Sequence, residues 1–316
     1  MDITISGIHH ITAIASDPQQ NLDFYTQFLG LRLVKLTVNF DDPTTYHFYF
    51  GDQRGQPGTI LTFFPWPGAR RGRHGTGQVS RIAFAVAPGA LAYWIERAKN
   101  FNVTVQGPWT RFGEDYIELT DPDGLQLEII ATRDAHQGEE IAGFHSASLW
   151  VEGYERTARL LTGSFGFIFE GSEGNRYRYR ASRSGPASLV DVVCSPDAAP
   201  GSLGAGIVHH IAWRTPNEGQ QRQWRSDLAG AGFNVTPVMD RRYFRSIYFR
   251  EPGGILFEIA TDPPGFLIDE TESQLGTQLQ LPPWLEPQRA YIESRLPTIR
   301  IPSAARQART AAHSAD

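Results

Sequence analysis

The sequence predicts an α+β protein made of four βαβββ modules that form two incomplete mixed-sheet barrels, followed by a C-terminal arm. Three observations support this prediction. Four strand-like segments with a similar opening recur along the 316 residues, a candidate helix follows each of them, and short β-type runs follow the helices. Because a single module cannot cover its own sheet face, we expect the modules to pack in pairs.

The first strand of each module shows the repetition most clearly. The openings are spaced 64 to 71 residues apart, and each alternates or runs apolar as a strand does. They are Gly7-Ile-His9-His10, Gln78-Val-Ser80-Arg81, Gly143-Phe-His145-Ser146 and Ile207-Val-His209-His210. Three of the four modules therefore carry histidine on their first strand.

A candidate helix follows each opening. In the first module, Asp17-Pro18 is a typical helix start and Gly30 a typical end. The other helices are predicted over residues 90–98, over residues 152–165 before Gly166, and from Pro216 to about residue 228. β-type runs follow at residues 46–50, 59–64, 116–119 and 125–130, which gives the βαβββ order.

The repeat boundaries predict how the chain divides. Residues 1–140 form an N-terminal pair of modules, residues 141–265 a C-terminal pair, and residues 266–316 an arm and tail. The last region holds Pro-Pro-Trp284, a short helical stretch near residues 288–296 and a polar end rich in alanine and arginine. We expect the arm to pack on the modules and the end to fray.

Composition narrows the kinds of partner. Hydrophobic residues make up 41% of the chain, charged residues 20%, and the net charge is −5, so nucleic acid is not expected and a small molecule is. The single cysteine, Cys194, excludes an intrachain disulfide and a Cys-rich zinc site. With no signal-like start and no apolar run long enough to cross a membrane, we expect a cytoplasmic protein. Homo-oligomer formation stays open.

Candidate metal ligands can be compared between modules. Aligning Pro122-Asp-Gly-Leu-Gln-Leu-Glu128 with Pro252-Gly-Gly-Ile-Leu-Phe-Glu258 places the two glutamates at the same position of the last strand. Phe63 occupies this position in module one, and Asp191 in module three lies out of register. Modules one and four together then supply one histidine from each doubled pair and a single carboxylate. This donor set, with open coordination positions, is the facial triad of non-haem Fe(II) oxygenases.

These strings resemble the ring-cleaving dioxygenases of the vicinal oxygen chelate superfamily, specifically the hydroquinone 1,2-dioxygenase branch. The resemblance covers about residues 5 to 290 and includes Tyr46-His-Phe-Tyr-Phe50, Thr110-Arg-Phe-Gly113 and Gly174-Asn-Arg-Tyr-Arg178. It implies that the second histidine of each pair binds iron. The implied metal ligands are therefore His10, His210 and Glu258, and the implied residues around the substrate are Thr12, His209, Arg241 and Tyr248.

The resemblance implies a function. We expect Fe(II), with Mn(II) also compatible, and we expect a small aromatic diol and O₂ as substrates. A hydroquinone carries its second hydroxyl in the para position and cannot chelate the metal. Tyr248 or Arg241 would therefore orient the ring, and His209 could move a proton.

Three other functions remain open on the sequence. A catechol-type extradiol dioxygenase would place its site within modules three and four, with His145 in place of His10. A glyoxalase-like isomerase needs a second carboxylate where the sequence has Phe63. A non-enzymatic small-molecule-binding module of the same fold would not need the His and Glu ligands.

Structural roles compete with functional ones at several positions. One histidine of each pair is expected to face away from the site, because neighbouring residues of a strand point to opposite faces. Glu128 is expected to pair with Arg81, and His47 and His145 are expected to be structural. Arg241 has a counterpart in Arg111, at the same distance before the other glutamate. A scaffold role for Arg241 therefore stays open.

Overall fold

A computed structural model describes residues 3–182 and 187–301 of the chain. It confirms the α+β class and the four βαβββ modules. The first module consists of β1 (Ile8–Ala15), α1 (Pro18–Asp23), β2 (Arg32–Asn39), β3 (Asp42–Gly51) and β4 (Ile60–Pro65). The second consists of β5 (Gln78–Val86), α2 (Leu91–Asn100), β6 (Val105–Arg111), β7 (Glu114–Thr120) and β8 (Gln126–Ala131).

The second half of the chain repeats this order. The third module consists of β9 (Gly143–Val151), α3 (Glu155–Arg159), β10 (Ile168–Glu173), β11 (Arg176–Arg180) and β12 (Leu189–Cys194). The fourth consists of β13 (Val208–Thr215), α4 (Glu218–Gly230), β14 (Met239–Asp240), β15 (Arg245–Arg250) and β16 (Leu256–Thr261). A last helix, α5 (Arg289–Arg295), belongs to the arm.

The four modules form two eight-stranded sheets. Modules one and four share the sheet with the order β14-β15-β16-β13-β1-β4-β3-β2, and modules two and three share the sheet with the order β10-β11-β12-β9-β5-β8-β7-β6. In the first sheet, β1 pairs antiparallel with β13, parallel with β4, and β13 pairs parallel with β16. The two ends of the chain therefore meet in one sheet. The chain boundaries near residues 140 and 265 remain a proposal.

Local sequence explains where the helices begin and how they continue. Asp17 caps α1 by accepting hydrogen bonds from the backbone N–H groups of Gln19 and Gln20, with Pro18 in the first turn. One π-helical turn, Phe24–Phe28, extends α1, and another, Leu160–Ser164, extends α3. The fourth helix begins two residues later than the sequence predicts, because Asn217 is its cap.

One continuous apolar core joins both sheets. Phe165 of module three packs against Trp213 and Phe257 of module four, with ring centroids 5.9 and 6.2 Å apart. Aromatic contacts of this kind bury much surface and fix relative orientation. The core thus holds the sheet that contains the histidine strands firmly against its neighbour.

The C-terminal arm packs on the sheet of modules one and four. The buried ammonium group of Lys35 contacts the carboxylates of Asp269, at 2.6 Å, and Glu270. The backbone N–H of Gln280 donates to the carbonyl of Leu36 at 2.9 Å. The end predicted to fray falls in residues 302–316, outside the described residues. Within the described ranges, no helix is long and apolar enough to span a membrane.

Candidate metal centre

Each doubled histidine coincides with an irregularity of the strand pair β1 and β13. The pairing register steps from Ile8–Trp213 to His10–Ala212, so that His9 is an extra residue of β1, and His209 is the extra residue of β13 by the same reasoning. An extra residue of this kind is a β-bulge, which bends the strand and redirects side chains. The register of β5 and β9 skips Ser80 and His145 in the same way, so all four modules share the feature.

The bulges correct one expectation from the sequence. Strict alternation would turn His9 and His209 away from their neighbours. Instead, Nδ1 of His9 lies 2.9 Å from Nδ1 of His10, and Nδ1 of His209 lies 2.8 Å from Nδ1 of His210. The first histidine of each pair therefore holds the ring of the second by a hydrogen bond, as a residue beside a metal ligand commonly does.

The second histidines converge with Glu258. Nε2 of His210 lies 2.9 Å from Oε2 of Glu258, Nε2 of His10 lies 3.3 Å from the same oxygen, and the two nitrogens are 3.3 Å apart. A metal with bonds of about 2.1 Å needs neighbouring donors roughly 3 Å apart. Among the described residues, these three form the one group of three whose donor atoms lie this close together.

The chemistry of the three donors fits a cation. Glu258 is fully buried, and its Oε2 atom has no hydrogen bond of good geometry, while Oε1 accepts one from Ser246. Burial by itself would raise the pKa of the Glu258 carboxyl, but His10 and His210 hold that pKa well below its usual range. A buried carboxylate oxygen facing two imidazole nitrogens is a site that a divalent metal satisfies.

A cavity of about 330 Å³ opens on one side of the three donors. Aromatic side chains make up much of its wall. The residues that line it are His10, Thr12, Asn39, Phe40, Asp41, His47, Tyr49, Phe64, Trp66, His209, His210, Arg241, Phe244, Tyr248 and Leu256. All four residues implied by the resemblance, Thr12, His209, Arg241 and Tyr248, thus lie around one space with the two histidines.

Three polar residues of the cavity wall, Arg241, Tyr248 and Asp41, are joined to one another. The Nε–H of Arg241 donates to the hydroxyl of Tyr248 at 3.2 Å, and the same guanidinium contacts Asp41 at 3.0 Å. Burial and the nearby charge of Glu258 raise the pKa of Tyr248 above its usual value, although Arg241 acts in the opposite direction. Tyr248 is therefore protonated at neutral pH and can donate a hydrogen bond while it accepts one.

Comparison with known proteins gives the family. A model of the Glyoxalase/Bleomycin resistance protein/Dioxygenase superfamily matches residues 7–129 and 143–259, which is most of the chain and covers both halves of the cavity. The chain belongs to this superfamily.

Relatives within the superfamily are similar over nearly their full length. The chain is 50% identical over 303 residues to "Putative ring-cleaving dioxygenase MhqO" of Bacillus subtilis, covering 92% of the chain and 95% of the relative. It is 36% identical over 301 residues to "Chlorohydroquinone/hydroquinone 1,2-dioxygenase" of Sphingobium indicum, covering 89% and 93%.

Solved structures give the same fold. A crystal structure titled as a putative dioxygenase from Bacillus subtilis matches with a TM-score of 0.91 and 48% identity, covering 95% of this chain and 99% of that one. Glyoxalase I from Zea mays matches with a TM-score of 0.63 at 14% identity, covering 81% and 92%, and this likeness concerns the fold alone.

The pairing of the first and last strands shows which residues occupy equivalent positions in the modules. It corrects the expectation that Phe63 is the counterpart of Glu258. Glu258 lies opposite Ala212, two residues after His210, and Thr62 lies opposite Thr12, two residues after His10. Thr62 is thus the counterpart of Glu258, while Phe63 points into the apolar core against Tyr25. The sequence alignment was wrong by one residue, but module one still offers no second carboxylate.

Asp191 is in register, contrary to expectation. It lies opposite Ser148, two residues after Ser146, and Glu128 lies opposite Ala83, two residues after Arg81. The sheet of modules two and three therefore has both carboxylates at the counterparts of Glu258 and Thr62. Arg81 and Ser146 stand where His10 and His210 of the other sheet stand.

Arginines neutralise the two carboxylates of this second sheet. Arg111 contacts Glu128 through both oxygens, at 3.0 and 2.5 Å, and the expected contact with Arg81 is present at 3.3 Å. Arg178 binds Asp191 through both oxygens at 2.8 and 3.0 Å. Arg241, by contrast, does not repeat the role of Arg111, because its partners are Asp41 and Tyr248.

His145 does not join the group of His10, His210 and Glu258. It lies in the sheet of modules two and three, where Nε2 contacts Glu114 at 3.0 Å and Nδ1 is hydrogen bonded to Ser146 at 3.0 Å. The structure thus gives His145 the structural surroundings that the sequence suggested. His47, expected to be structural, lies in the cavity wall, within the Tyr46–Phe50 string that the resemblance includes.

Proposed function

We propose that the protein is an Fe(II)-dependent ring-cleaving dioxygenase that opens a hydroquinone-like aromatic with O₂. The observation that carries the proposal is the open triad of His10, His210 and Glu258 at the wall of an aromatic-lined cavity. Relatives that bear the names of ring-cleaving dioxygenases support it.

The donor set supports the choice of metal. Two imidazoles and one carboxylate on one side suit Fe(II), and also Mn(II), while leaving adjacent positions open. When bound by these three residues, iron would supply electron transfer between an aromatic diol and O₂. A glyoxalase-like isomerase is disfavoured, because Thr62 stands where that chemistry needs a second carboxylate.

The cavity walls would bind and orient the ring. Phe64, Phe244 and Tyr49 line the space beside the triad, and contact with aromatic rings favours a flat aromatic ligand. Closing the space with these rings also keeps bulk water away from the reacting atoms.

Polar residues would handle the hydroxyl groups. Tyr248, which accepts a hydrogen bond from Arg241, can donate one to an oxygen of the substrate, and the guanidinium stabilises negative charge there. His209 lies in the cavity wall with Nδ1 turned to His210. Its other nitrogen is then the one that can hydrogen bond to the ring or exchange a proton with it.

A matched pair of substitutions tests the proposal. His10→Ala and His145→Ala each remove a buried histidine from a first strand, but only His10 faces Glu258. We expect one iron per wild-type chain, loss of iron and of O₂ uptake with His10→Ala, and retention of both with His145→Ala.

Substrate tests complete the experiment. Hydroquinone added to the Fe(II)-loaded wild type should consume O₂ and give a ring-opened product. Turnover of a glutathione–methylglyoxal adduct without O₂ uptake would contradict the dioxygenase assignment. Iron lost with His145→Ala but kept with His10→Ala would move the protein to the catechol-type arrangement.

A further inference from the structure

The two halves of the candidate metal centre are related position by position, and in one half a threonine takes the place of the carboxylate. Thr62 is the counterpart of Glu258, as the registers with Thr12 and Ala212 show. On the next strand, Tyr49 lies opposite Thr62 just as Tyr248 lies opposite Glu258.

Two residues earlier on each strand, His47 is the counterpart of Ser246. Ser246 hydrogen bonds to the carboxylate of Glu258, and Nε2 of His47 is hydrogen bonded to the hydroxyl of Thr62 at 2.9 Å. His47 therefore supports Thr62 as Ser246 supports the metal ligand.

A chain of hydrogen bonds joins His47 to Thr12 through Thr62. The hydroxyl of Thr62 is 2.8 Å from the hydroxyl of Thr12, and Thr12 lies two residues after His10 and lines the cavity. Both threonines are buried, and of the two only Thr12 is in the wall of the cavity. Each hydroxyl has one proton to donate. The hydrogen bond between His47 and Thr62 therefore decides in which direction the Thr62 and Thr12 hydroxyls can donate.

The surroundings of His47 hold its ring in place. The imidazole lies against Tyr49 and Phe64, with ring centroids 4.1 and 4.3 Å away. Burial keeps the pKa of His47 well below its usual value, so the ring is neutral at neutral pH, with one donor and one acceptor nitrogen. Such a ring can orient a hydroxyl without adding charge beside the three metal ligands.

We propose that His47 is a positioning residue for the aromatic substrate: acting through Thr62, it holds the Thr12 hydroxyl in one orientation for hydrogen bonding to a substrate oxygen. This rests on the proposed function, because the ligand is the aromatic diol of that reaction. His47 and Thr62 would set the affinity for the diol and leave iron binding unchanged.

Variants at both ends of the contact test the proposal. His47→Phe keeps an aromatic ring between Tyr49 and Phe64 but removes the hydrogen bond, and Thr62→Val removes the hydroxyl at nearly constant shape. The double variant tests whether they act through one chain, and Thr62→Ser restores the hydroxyl. His145→Phe is the matched control, a buried strand histidine of the other sheet.

Affinity for hydroquinone should be measured without turnover, by anaerobic calorimetry on the Fe(II)-loaded proteins, beside iron content and thermal unfolding. We expect His47→Phe and Thr62→Val each to raise the Kd about three- to tenfold, which is the effect of losing one hydrogen bond. The double variant should be no weaker than the weaker single variant, and Thr62→Ser and His145→Phe should bind as the wild type does. All should hold one iron per chain.

Several results would overturn the inference. They are an unchanged Kd in both single variants of normal thermal stability, effects that multiply in the double variant, or loss of iron in place of loss of diol affinity. Failure of the proposed function is distinguishable, because it would show as wild-type protein that binds iron and hydroquinone without O₂ uptake. The binding data would still decide the role of His47.

Discussion

Two buried glutamates occupy equivalent places in the two sheets, but their partners differ. Glu258 faces the imidazoles of His10 and His210, whereas Glu128 faces the guanidinium of Arg111. Replacing each by glutamine removes one negative charge and keeps the side-chain shape. We expect Glu258→Gln to lose most of the affinity for iron and Glu128→Gln to lose stability instead.

The size of the Glu128 effect follows from its contacts. The side chain of Glu128 is 0% exposed and that of Arg111 is 9% exposed, and two hydrogen bonds join them. Removing one partner of a buried ion pair costs about 3–5 kcal/mol, because the other charge stays buried and unpaired. The glutamine oxygen can still accept one hydrogen bond, so we expect about 3 kcal/mol. At roughly 2–4 °C per kcal/mol, the Tm would fall by about 6–12 °C.

Urea and thermal unfolding of the metal-free proteins, together with iron content after anaerobic loading, check this prediction. Both variants should be measured beside the wild type. If Glu128→Gln unfolds at the wild-type temperature, the ion pair contributes nothing and the reasoning is wrong. Two irons in the wild type, one of them lost with Glu128→Gln, would show that the second sheet is also a metal site.

Three further predictions concern the C-terminal arm, the stability of the protein at acid pH and the binding of the substrate. Lys35→Met leaves Asp269 and Glu270 without their ammonium partner. The free energy of unfolding in urea should fall by about 3 kcal/mol, and proteolysis in residues 266–301 should be faster. An unchanged urea midpoint would contradict this prediction. Burial would raise the pKa of Glu114, but its hydrogen bond with His145 lowers it to about 2, against 4.5 for the free group. The ionised Glu114 carboxylate therefore contributes at most about 3 kcal/mol to the free energy of unfolding. This contribution is complete above pH 4.5 and is lost as the pH falls towards 2. In urea titrations, Glu114→Gln should therefore be less stable than the wild type at pH 7 and approach wild-type stability in acid. Tyr248→Phe should raise the KM for hydroquinone about tenfold at unchanged iron content, and equal KM values would remove Tyr248 from substrate binding.

The sequence predicted the module order well, because strand and helix periodicity is local. The repeated openings, Asp17 as a helix cap and Gly30 as a helix end all act within a few residues of themselves. Even so, α4 begins at Glu218 instead of Pro216, since a helix start depends on which side chain caps it.

Pairing of module one with module four was also accessible from the sequence, through the two doubled histidines and Glu258. The register of the last strands could not be obtained from the sequence. Thr62, not Phe63, stands opposite Thr12, and Asp191 is in line with Glu128. Counting residues between motifs misplaces Phe63 by one position, because loops of different length precede the last strand of each module.

The bulges at His9 and His209 could not be derived from alternation, because a bulge is a property of two paired strands and not of one. The same holds for Asp41 beside Arg241, and for Thr62 between His47 and Thr12, which are contacts between strands distant in the chain. The sequence by itself determined which residue types the chain could offer as ligands and in which modules. The tertiary structure alone decided which side chains share the cavity, because pairing register and bulges, set by the whole sheet, turn each side chain towards it or away.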